Sequence, residues 1–249
     1  MKQIMEEKAQ NYKNGKINYV TEKVVKDSTI TLTINNEISR SLSAIEDSLE
    51  EFAVGYLFNE NMVKSIDDIE KIEINENHIN VEIDDKLLKT KETVLCSDSS
   101  GGWRSKIKEI KPISSDFQVE ADELINRIEE LKNNAQIWQA TGGTHVAGIV
   151  YKNNFIVKED VSRHVAVDKV IGYGILHNYD LSNSYIIYSG RMPADMVIKI
   201  VRAGIPVLAS NAAPAYSGCE TAKKGNVTLV GFLRGQRFNV YNNKNRIIF

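Results

Sequence analysis

The sequence predicts an α/β protein with a smaller α+β part over residues 1–115 and a layered domain over residues 116–249 built on a largely parallel sheet. Three observations predict it. From residue 120 onward, β-branched runs alternate with helical spacing, as they do where strands are joined by crossover helices. Before residue 90, short alternating strands surround one helix. A serine- and glycine-rich stretch, then Lys111-Pro112 leading to Asp116, separates the two patterns.

In chain order, residues 29–34 alternate threonine with isoleucine or leucine, a half-buried strand, and Asn35-Asn36 turns the chain. Asp47 or Ser48 caps a helix whose Leu49, Phe52, Ala53, Tyr56 and Leu57 form one apolar stripe. Residues 69–74 and 78–83 read as a hairpin through Asn75-Glu76-Asn77. Cys96 then opens the stretch Ser97 to Gly102. Beyond the connector, helices are expected over 121–131, 164–177 and 193–203. Strands are expected over 144–151, 155–158, 185–188, 207–210 and 227–233. Pro193 suits a first helical turn, and Gly204 with Pro206 a helix stop.

Composition narrows the function classes. With 249 residues, 42% hydrophobic and 26% charged, the chain is an ordinary globular protein of one large domain or two smaller ones. No apolar run is long enough to span a membrane, and the acidic start, Met1 to Glu7, is no signal peptide, so a cytoplasmic location is expected. A formal net charge of -2 argues against nucleic acid as a partner. Six of the nine arginines lie from Arg163 onward, which favours the C-terminal half for any anionic ligand. Two cysteines, Cys96 and Cys219, are too few for a disulfide framework or a cysteine-rich zinc site. His78, His145, His164 and His177 stand at no metal-ligand spacing with them, so a metal-free protein is expected.

Four segments carry candidate chemistry. Thr141-Gly142-Gly143-Thr144-His145 could line an anion pocket with backbone N–H groups, or be a plain tight turn. In Glu159 to Lys169, His164 and Asp168 are four apart at a helix start, so the carboxylate can orient the imidazole, while Arg163 offers an anion fork; a capping cluster of ion pairs is the alternative. Ser189-Gly190-Arg191-Met192-Pro193 and Ser210 to Pro214 lie at strand ends, where open α/β sheets collect ligands. Arg234, Arg237, Phe238, Asn239, Val240, Tyr241, Asn242 and Asn243 combine rings, amides and cations suited to a purine and its phosphates, or form a closing hairpin.

These segments together resemble the FdhD family of formate dehydrogenase accessory proteins. Thr141 to His145 matches a T-G-G-x-H stretch, Glu159 to Gly172 an E-D-x-x-R-H-x-x-x-D-K-x-x-G segment, and Gly190-Arg191 a G-R stretch. Ala203 to Pro206, Ser210 to Pro214 with one residue displaced, and Gly231 to Tyr241 match further runs, as do Leu49 to Leu57 and Ile66 to Ile69 in the first half. The likeness runs from Val25 to Tyr241 in order.

The resemblance implies a three-layer α/β/α, cytidine deaminase-like domain. It also implies sulfur transfer of a sulfurtransferase type. Cys96 would take persulfide sulfur from a cysteine desulfurase and pass it to the molybdenum bis(molybdopterin guanine dinucleotide) cofactor, a bound client, before insertion into the formate dehydrogenase catalytic subunit. The run Phe238 to Asn243 matches the family's cofactor-binding run, and Cys219 is expected to be a packing residue. A homodimer is left open. The chain departs from the family where many members carry C-G-x-C, since Cys96 is followed by Ser97-Asp98-Ser99-Ser100. A single thiol can still carry a persulfide. The departure keeps a second reading alive, a non-catalytic cofactor-binding chaperone. A zinc-dependent deaminase is disfavoured, because His145-Val146-Ala147 lacks the glutamate and Pro214 is followed by a lone Cys219.

Overall fold

The computed structural model describes residues 2–88, 93–95, 103–105 and 110–249. It opens with a hairpin of β1 (Ile4–Lys13) and β2 (Lys16–Val25), turned by Asn14-Gly15 with both φ angles positive, 52° and 79°. Asparagine and glycine tolerate that left-handed backbone, which matches the twist of a two-residue hairpin. This hairpin is absent from the expected elements.

A four-stranded sheet follows, in the order β4-β3-β6-β5, built from β3 (Ser28–Ile34), β4 (Ile38–Ala44), β5 (Ile69–Asn75) and β6 (His78–Ile83). Helix α1 (Leu49–Asn59) covers it, with Phe52, Ala53, Tyr56 and Leu57 against Ile30, Leu32, Ile79 and Val81. Two expectations for α1 are corrected. Every residue from Phe52 to Leu57 is buried, not one stripe, because a second helix packs on the side away from the sheet. Ser48 makes no capping bond; its left-handed backbone turns the hydroxyl to Lys158, whose Nζ lies 2.7 Å away.

Next come the paired strands β7 (Thr93–Leu95) and β8 (Trp103–Ser105), with Leu95 opposite Trp103. The C-terminal domain comprises β9 (Val119–Glu120), α2 (Ala121–Asn134), α3 (Gln136–Thr141), β10 (His145–Tyr151), β11 (Asn154–Asp160), α4 (Arg163–Leu176), β12 (Ser184–Tyr188), α5 (Ala194–Ala203), β13 (Val207–Ser210), α6 (Tyr216–Gly225), β14 (Thr228–Arg234), β15 (Arg237–Val240) and β16 (Ile247–Ile248). Its six-stranded sheet runs β11-β10-β12-β13-β14-β15. Alternate side chains divide the core: Ile149, Ile186 and Leu208 meet α4, α5 and α6, while Val150, Ile187 and Ala209 meet α2 on the other face. Three layers result.

The expected largely parallel sheet is corrected to a mixed one. Only β12 with β13 and β13 with β14 are parallel; β10 is antiparallel to both β11 and β12, and β14 to β15. Connection length explains this. The β10–β11 and β14–β15 links are two-residue turns, which can join only antiparallel neighbours, whereas α5 and α6 provide the crossovers that parallel pairs need.

The two parts are held together where α1 crosses α4. A Cβ at Gly55 would lie 1.9 Å from the Asp168 carbonyl oxygen, and one at Gly172 would lie 1.8 Å from that of Glu51. Both are distances no side chain can occupy. Alanine normally stabilises a helix relative to glycine by about 1 kcal/mol. At Gly55 or Gly172 the sign is expected to reverse, with a loss of roughly 1–3 kcal/mol as the helices are forced apart. Urea unfolding of Gly55→Ala and Gly172→Ala checks this, and a gain in either would contradict the packing.

Candidate functional site

The carboxyl ends of β12, β13 and β14 lie on one edge of the large sheet, as do the start of β10 and the end of β11, because those two strands run in alternate directions beside β12. The connections from β11, β12 and β13 lead directly into α4, α5 and α6, so three helix N-termini face the same edge. Helix N-termini carry partial positive charge and unbonded N–H groups, which favours an anion there.

Two loops at this edge are zipped together. The Met192 N–H donates to the Ala213 carbonyl at 3.2 Å and the Ala215 N–H to the Met192 carbonyl at 3.1 Å. Ser210 braces them, its hydroxyl donating to the Gly190 carbonyl at 2.7 Å while accepting from the Ala212 N–H at 3.0 Å. On the other side, Ser189 Oγ accepts from the Val146 N–H at 3.0 Å and lies 3.5 Å from His145 Nδ1. Gly190 is needed because a Cβ there would meet the Tyr188 ring at 2.7 Å and the Arg163 side chain at 3.3 Å. The structure therefore brings His145, Arg163 and the Gly190-Arg191 loop together.

Beneath them lies a buried polar layer. His164 is fully buried, with Nε2 3.3 Å from the Asp195 carboxylate in the first turn of α5. Tyr188 is also buried and its hydroxyl donates to the Arg191 carbonyl. Burial holds that hydroxyl far above the usual tyrosine range, although Arg163 and Arg191 pull it the other way, so it stays a neutral donor. Tyr188 and Asp195 were not among the expected site residues. An acid two residues after Pro193, at a helix start, was the available signal for Asp195.

The expected pairing of His164 with Asp168 does not form. Both Asp168 oxygens lie 2.6 Å from Lys199 Nζ on α5, and Asn59 at the end of α1 donates to the same carboxylate at 2.6 Å. The neighbouring buried pair, Asp160 and Lys169, is 2.7 Å apart; Asp160 also accepts from the Ile45 N–H at 3.1 Å and the Ser162 N–H at 2.9 Å. Burial, the largest influence, pushes the Asp160 carboxyl up, against Lys169 and these donors. Glu159 accepts from the Ile137 and Trp138 N–H groups and from the Thr144 hydroxyl, so it caps α3. Much of the acidic and basic motif is thus scaffold under Arg163 and His164.

The glycine pair is also committed. Gly142 ends α3 with φ 68° and donates to the Trp138 carbonyl at 2.7 Å, while the Gly143 N–H donates to Thr141 Oγ1 at 3.1 Å. Their N–H groups therefore serve the turn. A Cβ at Gly143 would meet Val25 at 2.7 Å, so its bareness admits the N-terminal hairpin.

The run from Arg237 to Asn243 is spread along a strand. Arg237 and Asn239 are exposed on β15, with Arg237 opposite Arg234 at the carboxyl end of β14. Phe238 and Val240 pack on the α2 side of the core, Tyr241 on the opposite side, and Phe238 stacks on Phe249. Asn242 bonds the backbone of Val227 and Leu229, and Asn243 donates to Asn226 at 2.7 Å, back at the start of β14. Seven residues of extended strand cover roughly 20 Å, so Asn242 and Asn243 stand at the far end of β14 from Arg191.

Cys96, with Ser97 to Gly102, lies outside the described residues, one position beyond Leu95 at the end of β7. Cys219 is a free, half-buried thiol on α6, packed on the core beneath α4 and α5. Among the described residues, no three histidine, cysteine, aspartate or glutamate side chains cluster as metal ligands, and no helix is long and apolar enough to cross a membrane.

Comparison with known proteins agrees with the resemblance in the sequence. The model of the FdhD/NarQ family matches residues 25–248. The Sulfur carrier protein FdhD of Methanothermobacter thermautotrophicus is 48% identical over 230 residues, covering 92% of this chain and 93% of that one. Protein FdhD of Methanocaldococcus jannaschii is 34% identical over 231 residues, with 92% of each covered. A crystal structure of a candidate formate dehydrogenase accessory protein from Desulfotalea psychrophila superposes with a TM-score of 0.82 at 26% identity, covering 98% of this chain and 99% of that one.

Proposed function

The chain belongs to the FdhD/NarQ family, and on that premise we propose that it is a sulfur carrier serving formate dehydrogenase maturation, with Cys96 as the carrying thiol and the carboxyl-end crevice as the seat of a guanine nucleotide moiety. The observation that carries the nucleotide part is the convergence of Arg163, Arg191 and three helix N-termini on one edge of the sheet. A nucleotide diphosphate is the kind of anion such an edge accommodates. The layered α/β/α arrangement is in keeping with a cytidine deaminase-like domain.

In this reading the Cys96 thiolate attacks the outer sulfur of a persulfide on a cysteine desulfurase. The donor S–S bond breaks and the donor cysteine leaves as thiolate, so one sulfur moves without net oxidation. The client is the molybdenum bis(molybdopterin guanine dinucleotide) cofactor, held by its guanine nucleotide ends and handed on to the formate dehydrogenase catalytic subunit. The second reading, a chaperone that only holds the cofactor, uses the same crevice and no thiol; the lone Cys96 favours it.

Mass spectrometry separates the two readings. After incubation with a cysteine desulfurase and cysteine, the sulfur-carrier reading expects one added sulfur on the peptide containing Cys96, and an unmodified Cys96 would leave the chaperone. Calorimetry with GDP tests the crevice. Arg163→Ala and Arg191→Ala are each expected to lose roughly 1.5–3 kcal/mol of binding, the worth of a charge-assisted hydrogen bond. Arg237→Ala reports whether the β15 end of the edge takes part. Unchanged affinity in the first two variants would remove the crevice from the proposal.

A further inference from the structure

Tyr188, the last residue of β12, carries a hydroxyl where packing asks only for a ring. It is fully buried, in the same core as Ile186, Met192 and Met196, and Ala147 on β10 and Ser210 on β13 flank it in the sheet. A phenylalanine would fill the same volume, and a buried hydroxyl costs free energy unless it is hydrogen-bonded. The Tyr188 hydroxyl donates to the Arg191 carbonyl. The core therefore does not account for the oxygen; the loop three residues on does.

That loop presents one arginine from a fixed backbone. Arg191 is exposed, while Gly190 before it and Met192 after it are buried. The Gly190 carbonyl accepts from Ser210 at 2.7 Å, the Met192 N–H donates to Ala213 at 3.2 Å, and the Met192 carbonyl accepts from Ala215 at 3.1 Å. These bonds hold the residues on either side, and Tyr188 holds the Arg191 peptide itself. The ring serves the same end. Its edge would lie 2.7 Å from a Cβ at Gly190, where the Arg163 side chain also closes in at 3.3 Å. The hydroxyl feels the charges of Arg163, Asp195 and Arg191, so it lies among the charged groups of the crevice. An arginine fork meets a phosphate well only when its stem points the right way, and a fixed backbone removes part of the ordering cost of binding.

We propose that Tyr188 is a positioning residue for anion binding. Its hydroxyl fixes the Arg191 peptide, and with it the direction in which the guanidinium leaves the loop, before any ligand arrives. Tyr188 touches no ligand and acts through Arg191. The inference rests on the reading of the carboxyl-end crevice as an anion site, and it needs neither Cys96 nor any particular base.

Calorimetry with GDP and with inorganic pyrophosphate tests it, on the wild type, Tyr188→Phe, Arg191→Ala and the double variant. Tyr188→Phe keeps the ring and removes the oxygen, so the core stays filled, and circular dichroism checks that each variant is folded. In the wild-type background Tyr188→Phe is expected to raise both dissociation constants roughly five- to tenfold, less than Arg191→Ala does. In the Arg191→Ala background the same change is expected to move them by less than about twofold, since a residue that acts through Arg191 then has nothing left to position. Para-aminophenylalanine at position 188, which returns a donor to the same place, is expected to recover most of the loss. An unchanged affinity in Tyr188→Phe, or an equal loss in both backgrounds, would overturn the inference while leaving the crevice as an anion site. A wild type that binds neither ligand would remove the crevice and the inference together.

Discussion

Lys199→Met is expected to lose roughly 3–5 kcal/mol of folding stability, because it leaves the Asp168 carboxylate buried without its cation. Both residues are essentially sealed from solvent, and Lys199 Nζ sits 2.6 Å from each Asp168 oxygen. The remaining donor, Asn59, is neutral and cannot balance the charge. Asn59 also ties α1 to α5 through its carbonyl, which accepts from Arg202 at 2.6 Å, so the same substitution is expected to loosen the N-terminal sheet. Replacing both members, as Asp168→Leu with Lys199→Met, should cost much less than either single change, since removing a buried pair together leaves no orphaned charge. Urea denaturation of the two single variants and the double variant gives the coupling directly. A single-variant loss below about 1 kcal/mol would mean that the pair is solvated in solution.

How much of this was legible in the sequence varies with the range of the interaction. Strands 29–34 and 185–188 and the helix before Gly204 follow from local patterning, and each forms within a residue or two of its expected ends. The hairpin at Asn14-Gly15 carried a clear turn signal, but its strands mix charged and apolar residues on both faces and lack the alternation of a half-buried sheet. The mixed sheet was hidden for a different reason. Strand β12 could have paired with the strand just before it, and its choice of β10 depends on the whole domain. Likewise, His164 and Asp168 share a helix face, yet each finds its partner on α5, about thirty residues on, which no local spacing shows. The gathering of Arg163, Gly190 and Arg191 at strand ends was readable, because strand-to-helix connections fall on one edge of such a sheet. The separation of Arg237 from Asn242 and Asn243 was not, because a continuous motif looked like a continuous site.

Cys96→Ala is expected to abolish formate dehydrogenase maturation. In the sulfur-carrier account one thiolate makes and breaks every bond to the carried sulfur, and alanine offers no substitute. The effect should be complete where the arginine variants are graded, since weaker nucleotide binding can be offset by concentration. In the same account Cys219, half-buried in the α4–α6 core, takes no part in the transfer, and Cys219→Ala should cost little beyond a small packing loss. The most direct test is complementation of a strain lacking its own accessory protein, assayed for formate dehydrogenase activity with equal amounts of each variant present. The account predicts no activity with Cys96→Ala and nearly full activity with Cys219→Ala, whereas full activity with Cys96→Ala would contradict it.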